Sequence, residues 1–297
     1  MAGPWLIAVM GETASGKSEL AEELASALAA QLINADSFQV YRGMDIGTAK
    51  SEAKDRYHLI DIRNPDEGFT VGEFVTLSHE VCKEAWERRQ SVVVVGGTGL
   101  NIRALFEEYQ DMHHAPDPAL RNRLNEQLER NGLQFLVEQL EELDLEAYGK
   151  VDLANPVRVI RAIERAMGQK PGPQVRLPAY SKVKFSIDVQ TKELNSRLEN
   201  RVRKMVHNGW ASEIERLREQ GYRPRDPGFR AIGYRQMWDV VEKGKDLSEA
   251  IDAIVVETRQ YAKRQRTWLR SEPNLIRLSA DPEVSPFRQA MQSLTDI

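Results

Sequence analysis

The chain has 297 residues, with 41 Lys and Arg against 45 Asp and Glu for a formal net charge of -4; 41% of residues are hydrophobic and 29% charged. That length can bury a large core in one big domain or two modest ones, and the mild acidity argues against a protein that coats nucleic acid non-specifically. No apolar run approaches the ~20 residues needed to span a bilayer, and the N-terminal apolar run is short for a signal peptide, so a cytoplasmic protein without membrane contact is expected.

The apolar run Trp5 to Met10 reads as a first strand, and Gly11, Glu12, Thr13, Ala14, Ser15, Gly16, Lys17 and Ser18 follow it directly. Glycines at 11 and 16, with small residues between them, let the backbone curl so that successive N–H groups face an anion. Lys17 adds a mobile positive charge, and the Ser18 hydroxyl can ligate a magnesium ion (Mg²⁺) shared with the phosphates. A helix from Ser18 to about Ala29 aims the positive end of its dipole at the same point. This is a phosphate-binding loop, and alone it suggests ATP binding and a kinase.

Leu32 to Ala35, His58 to Ile62 and the valine-rich Ser91 to Val95 read as further strands. Thr70 and Glu73 form a capping box for a helix over 71–89, on which Cys82, the single cysteine, is expected to be buried; one cysteine allows neither an internal disulfide nor a cysteine-based zinc site. Strands this apolar are buried on both faces, which predicts a doubly wound parallel α/β sheet of P-loop type with its ligand crevice at the strand ends. That edge would receive the phosphate loop, Asp36 with Ser37, and Gly96-Gly97-Thr98-Gly99. From about Met112 the pattern turns helical, with Pro116 and Pro118 opening the region and 127–147 rich in leucine and glutamate. The adjacent His113 and His114 are expected in a solvated loop, and no structural metal is expected. The domains are set at 1–111 plus 183–297 for the core and 112–182 for a helical insertion, with a last strand over 185–189. Ser248 is expected to cap a final long helix ending near Arg270, and the tail from Ser279 is weakly patterned.

Two basic ridges stand out. On the helix opening at Asn155-Pro156, Arg158, Arg161 and Arg165 share one arc, opposite Ile160, Ile163 and Met167. Near the end of the long helix Arg259, Lys263, Arg266 and Arg270 form a ridge about 16 Å long. No acidic residue lies between Arg259 and Arg270, so the ridge calls for negative charge from outside, and nucleic-acid backbone fits. Tyr261 and Trp268 within it suit either core packing or contact with bases.

These stretches resemble the tRNA dimethylallyltransferase family. The resemblance runs through 11–18, Ile33 to Ser37, Gln39, Tyr41 to Lys50, Tyr57 to Asp61, Val95 to Leu100, Pro156 to Glu164, Ala231 to Gln236 and Gln260 to Arg270, in family order. Glu12, Ser51 and Asn101 depart from the usual proline, proline and tyrosine, and Glu12 is expected to tilt outward to solvent. The resemblance implies transfer of a dimethylallyl group from dimethylallyl diphosphate to N6 of an adenosine beside the anticodon (position 37) of tRNA, by a monomer that grips a leaving group and cleaves no phosphoanhydride. Asp36 would be the base, with Lys17, Ser18 through Mg²⁺, Thr98 and Arg201 stabilising the departing diphosphate, and Arg197 one turn before Arg201. Asp36, Ser37, Phe38, Gln39 and Thr98 would meet the flipped base, Gln39 through its amide. Arg121, the run Val157, Arg158, Val159, Ile160 and Arg161, then Arg230, Gly233, Tyr234 and Arg235, and Lys263, Arg264, Arg266 and Arg270 would hold the anticodon stem-loop, with the insertion as a clamp. A small-molecule P-loop kinase, a prenyltransferase for free adenine nucleotides, and a non-catalytic RNA-binding switch remain the rivals.

Overall fold

The structure, a computed structural model, describes residues 3–107, 117–168, 176–281 and 283–296. His113, His114, Met112 and Pro116 lie outside the described residues. Six parallel strands form one sheet in the order β3-β2-β4-β1-β5-β6: β1 (Trp5–Met10), β2 (Gln31–Asn34), β3 (Tyr57–His58), β4 (Val92–Gly96), β5 (Ser181–Asp188) and β6 (Leu275–Ser279). The register aligns the carboxyl ends: Met10 pairs with Gly96 and Ser186, and Asn34 pairs with Val95. Every residue of β4 is buried, as its valine run requires of a strand covered on both faces.

Twelve helices complete the described fold: α1 (Lys17–Ala27), α2 (Val71–Glu87), α3 (Gly99–Phe106), α4 (Pro118–Asn131), α5 (Leu133–Leu143), α6 (Leu145–Lys150), α7 (Pro156–Met167), α8 (Thr191–His207), α9 (Trp210–Glu219), α10 (Tyr234–Lys243), α11 (Leu247–Arg270) and α12 (Pro286–Asp296). Thr70 and Glu73 make the expected capping box on α2, and Cys82 is buried there. On one face of the sheet Ile7, Val9 and Phe185 pack with Leu20 and Leu24 of α1 and Leu194 and Leu198 of α8. A second core joins Val40, Tyr41 and Met44 to Val202 of α8 and to α9, α10 and α11.

The chain divides into two compact units, Met1–Glu107 with Arg176–Ile297, and Glu108–Val175. This differs from the expected 112–182, because the chain has rejoined the sheet by Ser181, which pairs with Trp5. Four other expectations are corrected. The third strand stops after two residues because Leu59 and Asp61 take left-handed φ angles of 65° and 54°. The helical run 127–147 is three helices, broken at Gly132 (φ 80°) and at Asp144, which caps α6. Asp246, not Ser248, caps α11 by accepting from Glu249 N–H. The weakly patterned tail, which begins where β6 ends at Ser279, carries α12, whose Ala290 is buried in the first core.

Within the second unit Leu120, Leu124, Leu136, Val137 and Leu140 close on Val159, Ile160, Ala162 and Ile163 of α7. Asn155 caps α7 and Pro156 opens it, as proline does at a first helical turn. Met167, expected on the packed side, is exposed.

Candidate active site

The loop after β1 is shaped for an anion. Ala14 and Gly16 take φ angles of 65° and 93°, Ser15 N–H donates to Glu12 O at 3.2 Å, and Gly16 precedes α1 with no side-chain cap. The first N–H groups of α1 therefore point out of the helix end without a capping side chain. Ser15 Oγ is buried without a hydrogen-bond partner in the structure, and a β-carbon at Gly11 would overlap it. Lys17 Nζ lies 3.3 Å from Glu12 O. Burial pushes the Lys17 ammonium down to about 8, the Arg201 charge pushes it the same way, and Asp36 and Glu12 oppose them. Burial also lowers Arg201, which Asp36 partly restores. Lys17, Arg201 and Asp36 thus form one electrostatic group, although they come from α1, α8 and the end of β2.

The next two strand ends lock together beside this loop. A β-carbon at Gly96 would strike the Ala35 backbone. Ser37 donates to Thr98 Oγ1 from both N–H and Oγ, at 3.3 and 3.1 Å. Asn34 Oδ1 accepts from Asp36 N–H at 3.1 Å, and Asp36 Oδ1 accepts from Phe38 N–H at 2.9 Å, so one carboxylate oxygen shapes the turn and the other is left for chemistry. Asn101, one of the departures, donates to Ala35 O at 3.3 Å and braces that turn. Ser51, another, donates to Glu22 at 2.6 Å.

A cleft of about 240 Å³ opens beside these ends, lined by Thr13, Asp36, Arg201 and Thr48 at polar positions. Its buried wall is apolar, with Val202, Trp210, Ala231 and Ile254, while Arg230 and Arg264 are exposed. Arg230 and Arg264 thus charge the exposed part of the lining.

Several expected placements are overturned. Glu12 does not face solvent: it is 5% exposed, and its carboxylate takes Arg266 Nε at 2.5 Å and Nη2 at 3.2 Å. Arg266, which also donates to Thr191, therefore belongs to the phosphate loop rather than to a free ridge. Arg259 is paired with Glu199 at 3.2 Å, so the acids absent from α11 itself come from other elements. Among the described residues the Lys263 and Arg270 side chains remain exposed and make no ion pair. Arg197 is held by Glu193 on its own helix, apart from Arg201's group. Gln39 Nε2 donates to the carbonyls of Thr48 and Ala49, which commits its donors to a loop rather than to a base.

Tyr234 is fully buried with its hydroxyl on Glu213 at 2.7 Å, and Gly233 is buried at φ 89°, so neither offers a surface to RNA; Arg235 is exposed. In the second unit Val159 and Ile160 are core residues, and Arg121 grips the buried Glu164 at 2.7 and 2.6 Å with Arg161 beside it at 3.2 Å. Arg158, 3.7 Å from Asp152, and Val157, 74% exposed, stay on the surface.

Two supports, Gln265 and Glu213, escaped the sequence reading, and Tyr261 joins them. Gln265 Oε1 accepts from Thr13 N–H at 2.9 Å while its Nε2 donates to Gly97 O at 3.0 Å, joining the phosphate loop to the Thr98 turn. Tyr261 lines one pocket with Gly97, Thr98 and Gln265, and burial raises its hydroxyl. The buried Glu213 carboxylate accepts from the N–H groups of Asp45, Ile46 and Gly47, at 2.7, 2.6 and 3.2 Å, and fixes the loop 43–50. Each bridges residues far apart in sequence and leaves no local pattern. Trp268 packs on Gly99 with Arg103 4.5 Å above its ring, which settles it as a packing residue.

A parallel sheet whose central strand ends in a phosphate loop, flanked by turns presenting Asp36 and Thr98, defines a P-loop α/β protein with a second ligand cleft against the loop. The IPP transferase family profile matches residues 39–272. The tRNA dimethylallyltransferase of Heliobacterium modesticaldum is 34% identical over 284 residues, 92% of this chain and 89% of its own. That named tRNA dimethylallyltransferase 2 of Geotalea daltonii is 39% identical over 279 residues, 90% of this chain and 85% of its own. The solved full-length tRNA isopentenylpyrophosphate transferase of Bacillus halodurans superposes with a TM-score of 0.70 at 33% identity, covering 98% of this chain and 94% of that one. This chain belongs to the IPP transferase family.

Proposed function

We propose that the protein transfers a dimethylallyl group from dimethylallyl diphosphate to N6 of an adenosine beside the anticodon, position 37, of tRNA, releasing diphosphate. The observation that carries this reading is the cleft itself: Asp36 shares its lining with Thr13 of the phosphate loop, with the Arg201 cation and with an apolar wall. A kinase acceptor site has no need of that apolar wall, whereas a prenyl diphosphate has a charged head and an apolar tail.

The N6 amine is a weak nucleophile because its lone pair is delocalised into the ring. Asp36 takes its proton as the N6–C1 bond forms and the C1–O bond breaks. Lys17, Arg201 and the loop N–H groups receive the negative charge that collects on the departing diphosphate. Thr98 holds Ser37 in place beside it. The donor set suits a magnesium ion bound through the substrate, since Ser18 supplies one exposed hydroxyl and Glu12 is already taken by Arg266. Such an ion would neutralise charge on the diphosphate.

The adenine must leave its stack to reach Asp36, and the exposed Arg230, Arg235, Lys263, Arg264 and Arg270 suit phosphates around the cleft. In the second unit Arg158 and Val157 are the surface candidates for RNA. No described helix is long and apolar enough to cross a membrane; a monomer working on tRNA in the cytoplasm fits this reading. Incubating the protein with tRNA, dimethylallyl diphosphate and magnesium, then weighing the digested nucleosides, tests it. A dimethylallyl-adenosine supports the reading; consumption of ATP alone, or modification of AMP in preference to tRNA, overturns it.

A further inference from the structure

Trp210 opens α9 just after α8, and it is held from two sides by backbone. A β-carbon at either Gly47 or Gly233 would overlap the indole, and Tyr234 meets it edge-on at 5.6 Å. The side chain is 1% exposed and lines the cleft, yet its Nε1–H is buried with no hydrogen-bond partner. An unmet buried donor is unfavourable, because it has given up water for no partner. Phenylalanine would avoid that cost, so the ring is kept for its size, and the two glycines on either side allow it no room to move.

The direction of the cleft gives that size a meaning. Arg201 and Met205 both line it and are one turn apart on α8, about 6 Å along the axis. The cationic end therefore lies roughly one helical turn from the Met205 position, and Trp210 follows after the turn at Gly209 (φ 94°). A ligand with its diphosphate at Arg201 and the phosphate loop lays its apolar tail on the part of the lining formed by Val202, Met205 and Trp210.

We infer that Trp210 is the floor that sets the prenyl-chain length accepted by this cleft, admitting a five-carbon allylic diphosphate and excluding a ten-carbon one. The inference rests on the proposed prenyl transfer and adds to it a residue that selects the donor. Even a single methylene in an apolar pocket is worth about 10–200-fold in discrimination, so a rigid wall in the path of a second isoprene unit gives a large effect.

The test compares dimethylallyl and geranyl diphosphates as donors to an anticodon stem-loop RNA, with product read by nucleoside mass. The unaltered protein uses the five-carbon donor and excludes the ten-carbon one. Trp210→Phe, which removes the orphaned N–H along with part of the ring, raises the geranyl-to-dimethylallyl ratio of kcat/KM by about tenfold or more. An unchanged ratio in a variant with a native melting profile overturns the inference, as does equal use of both donors by the unaltered protein. Met205→Trp guards against a misfolded Trp210 variant: adding bulk from the half-buried side raises KM for dimethylallyl diphosphate, and an unchanged KM counts against a length-limiting apolar end. Failure of the unaltered protein to use either donor removes the proposed function itself, which separates that failure from failure of the floor.

Discussion

Glu12 and Arg266 are 254 positions apart, and their side chains form a two-point ion pair at 2.5 and 3.2 Å against the phosphate loop. The carboxylate adds negative charge beside a site built for anions, and the guanidinium on α11 offsets it. Arg266→Met leaves that carboxylate buried and unpaired, whereas Glu12→Gln with Arg266→Met removes both charges. We expect the single Arg266 variant to lose about 1–3 kcal/mol of stability, less than a fully buried pair because the arginine is partly exposed, and the double variant to recover much of it. Chemical denaturation of the four proteins of the cycle measures this.

The ridge divides into paired and free cations. Replacing Lys263 and Arg270 with Ala is expected to lower the slope of log affinity for an anticodon stem-loop against log salt by about one to two. Arg266→Ala is expected to leave the slope nearly unchanged while lowering stability, because its charge is already spent on Glu12. Equal slope changes in the two cases would return Arg266 to the RNA surface.

Lys17, held down to about 8 in the free protein mainly by burial, gives the donor site a pH dependence. Below 8 the ammonium is charged and meets the diphosphate directly. Above 8 the free lysine is neutral, the bound one is charged, and binding takes up a proton. Diphosphate affinity is therefore expected to be flat below pH 8 and to fall by up to about tenfold per unit above it, with a flat profile for Lys17→Arg. Titration calorimetry in buffers of different ionisation enthalpy reads the proton uptake.

Gln265 ties Thr13 N–H to Gly97 O and so fixes the loop relative to Thr98. Gln265→Leu keeps the approximate volume but loses both hydrogen bonds. We expect a fall of about tenfold or more in kcat/KM for the donor, with stem-loop affinity kept, as follows when positioning and not RNA contact is removed.

What was legible in the sequence was what short-range pattern encodes. The phosphate loop, the valine strand, the Thr70–Glu73 box and the Asp36 turn each announce themselves within a few residues. The misreadings share a different cause. Val159 and Ile160 enter the RNA-binding run only by resemblance, whereas helical geometry, which already sets Ile160 opposite the arginines, turns both inward onto Leu136 and Leu140. The charges on α11 look unpaired only because Glu12 and Glu199 lie elsewhere in the chain. Strand β6 is a short edge strand whose pairing with β5, as in Phe185 with Ile276, decides its structure more than its own five residues do. Glu213, Gln265 and Trp210 gain their roles from the backbone they meet, which no spacing rule reveals.

The most direct measurement of the central claim is single-turnover prenylation by Asp36→Asn, which keeps an oxygen able to accept from Phe38 N–H while removing the base. Measured at pH 6.5, with both substrates saturating, the rate is predicted to fall by about 10²–10⁴-fold while stem-loop binding and the melting profile stay as in the unaltered protein. A rate near that of the unaltered protein would contradict Asp36 as the group that takes the N6 proton.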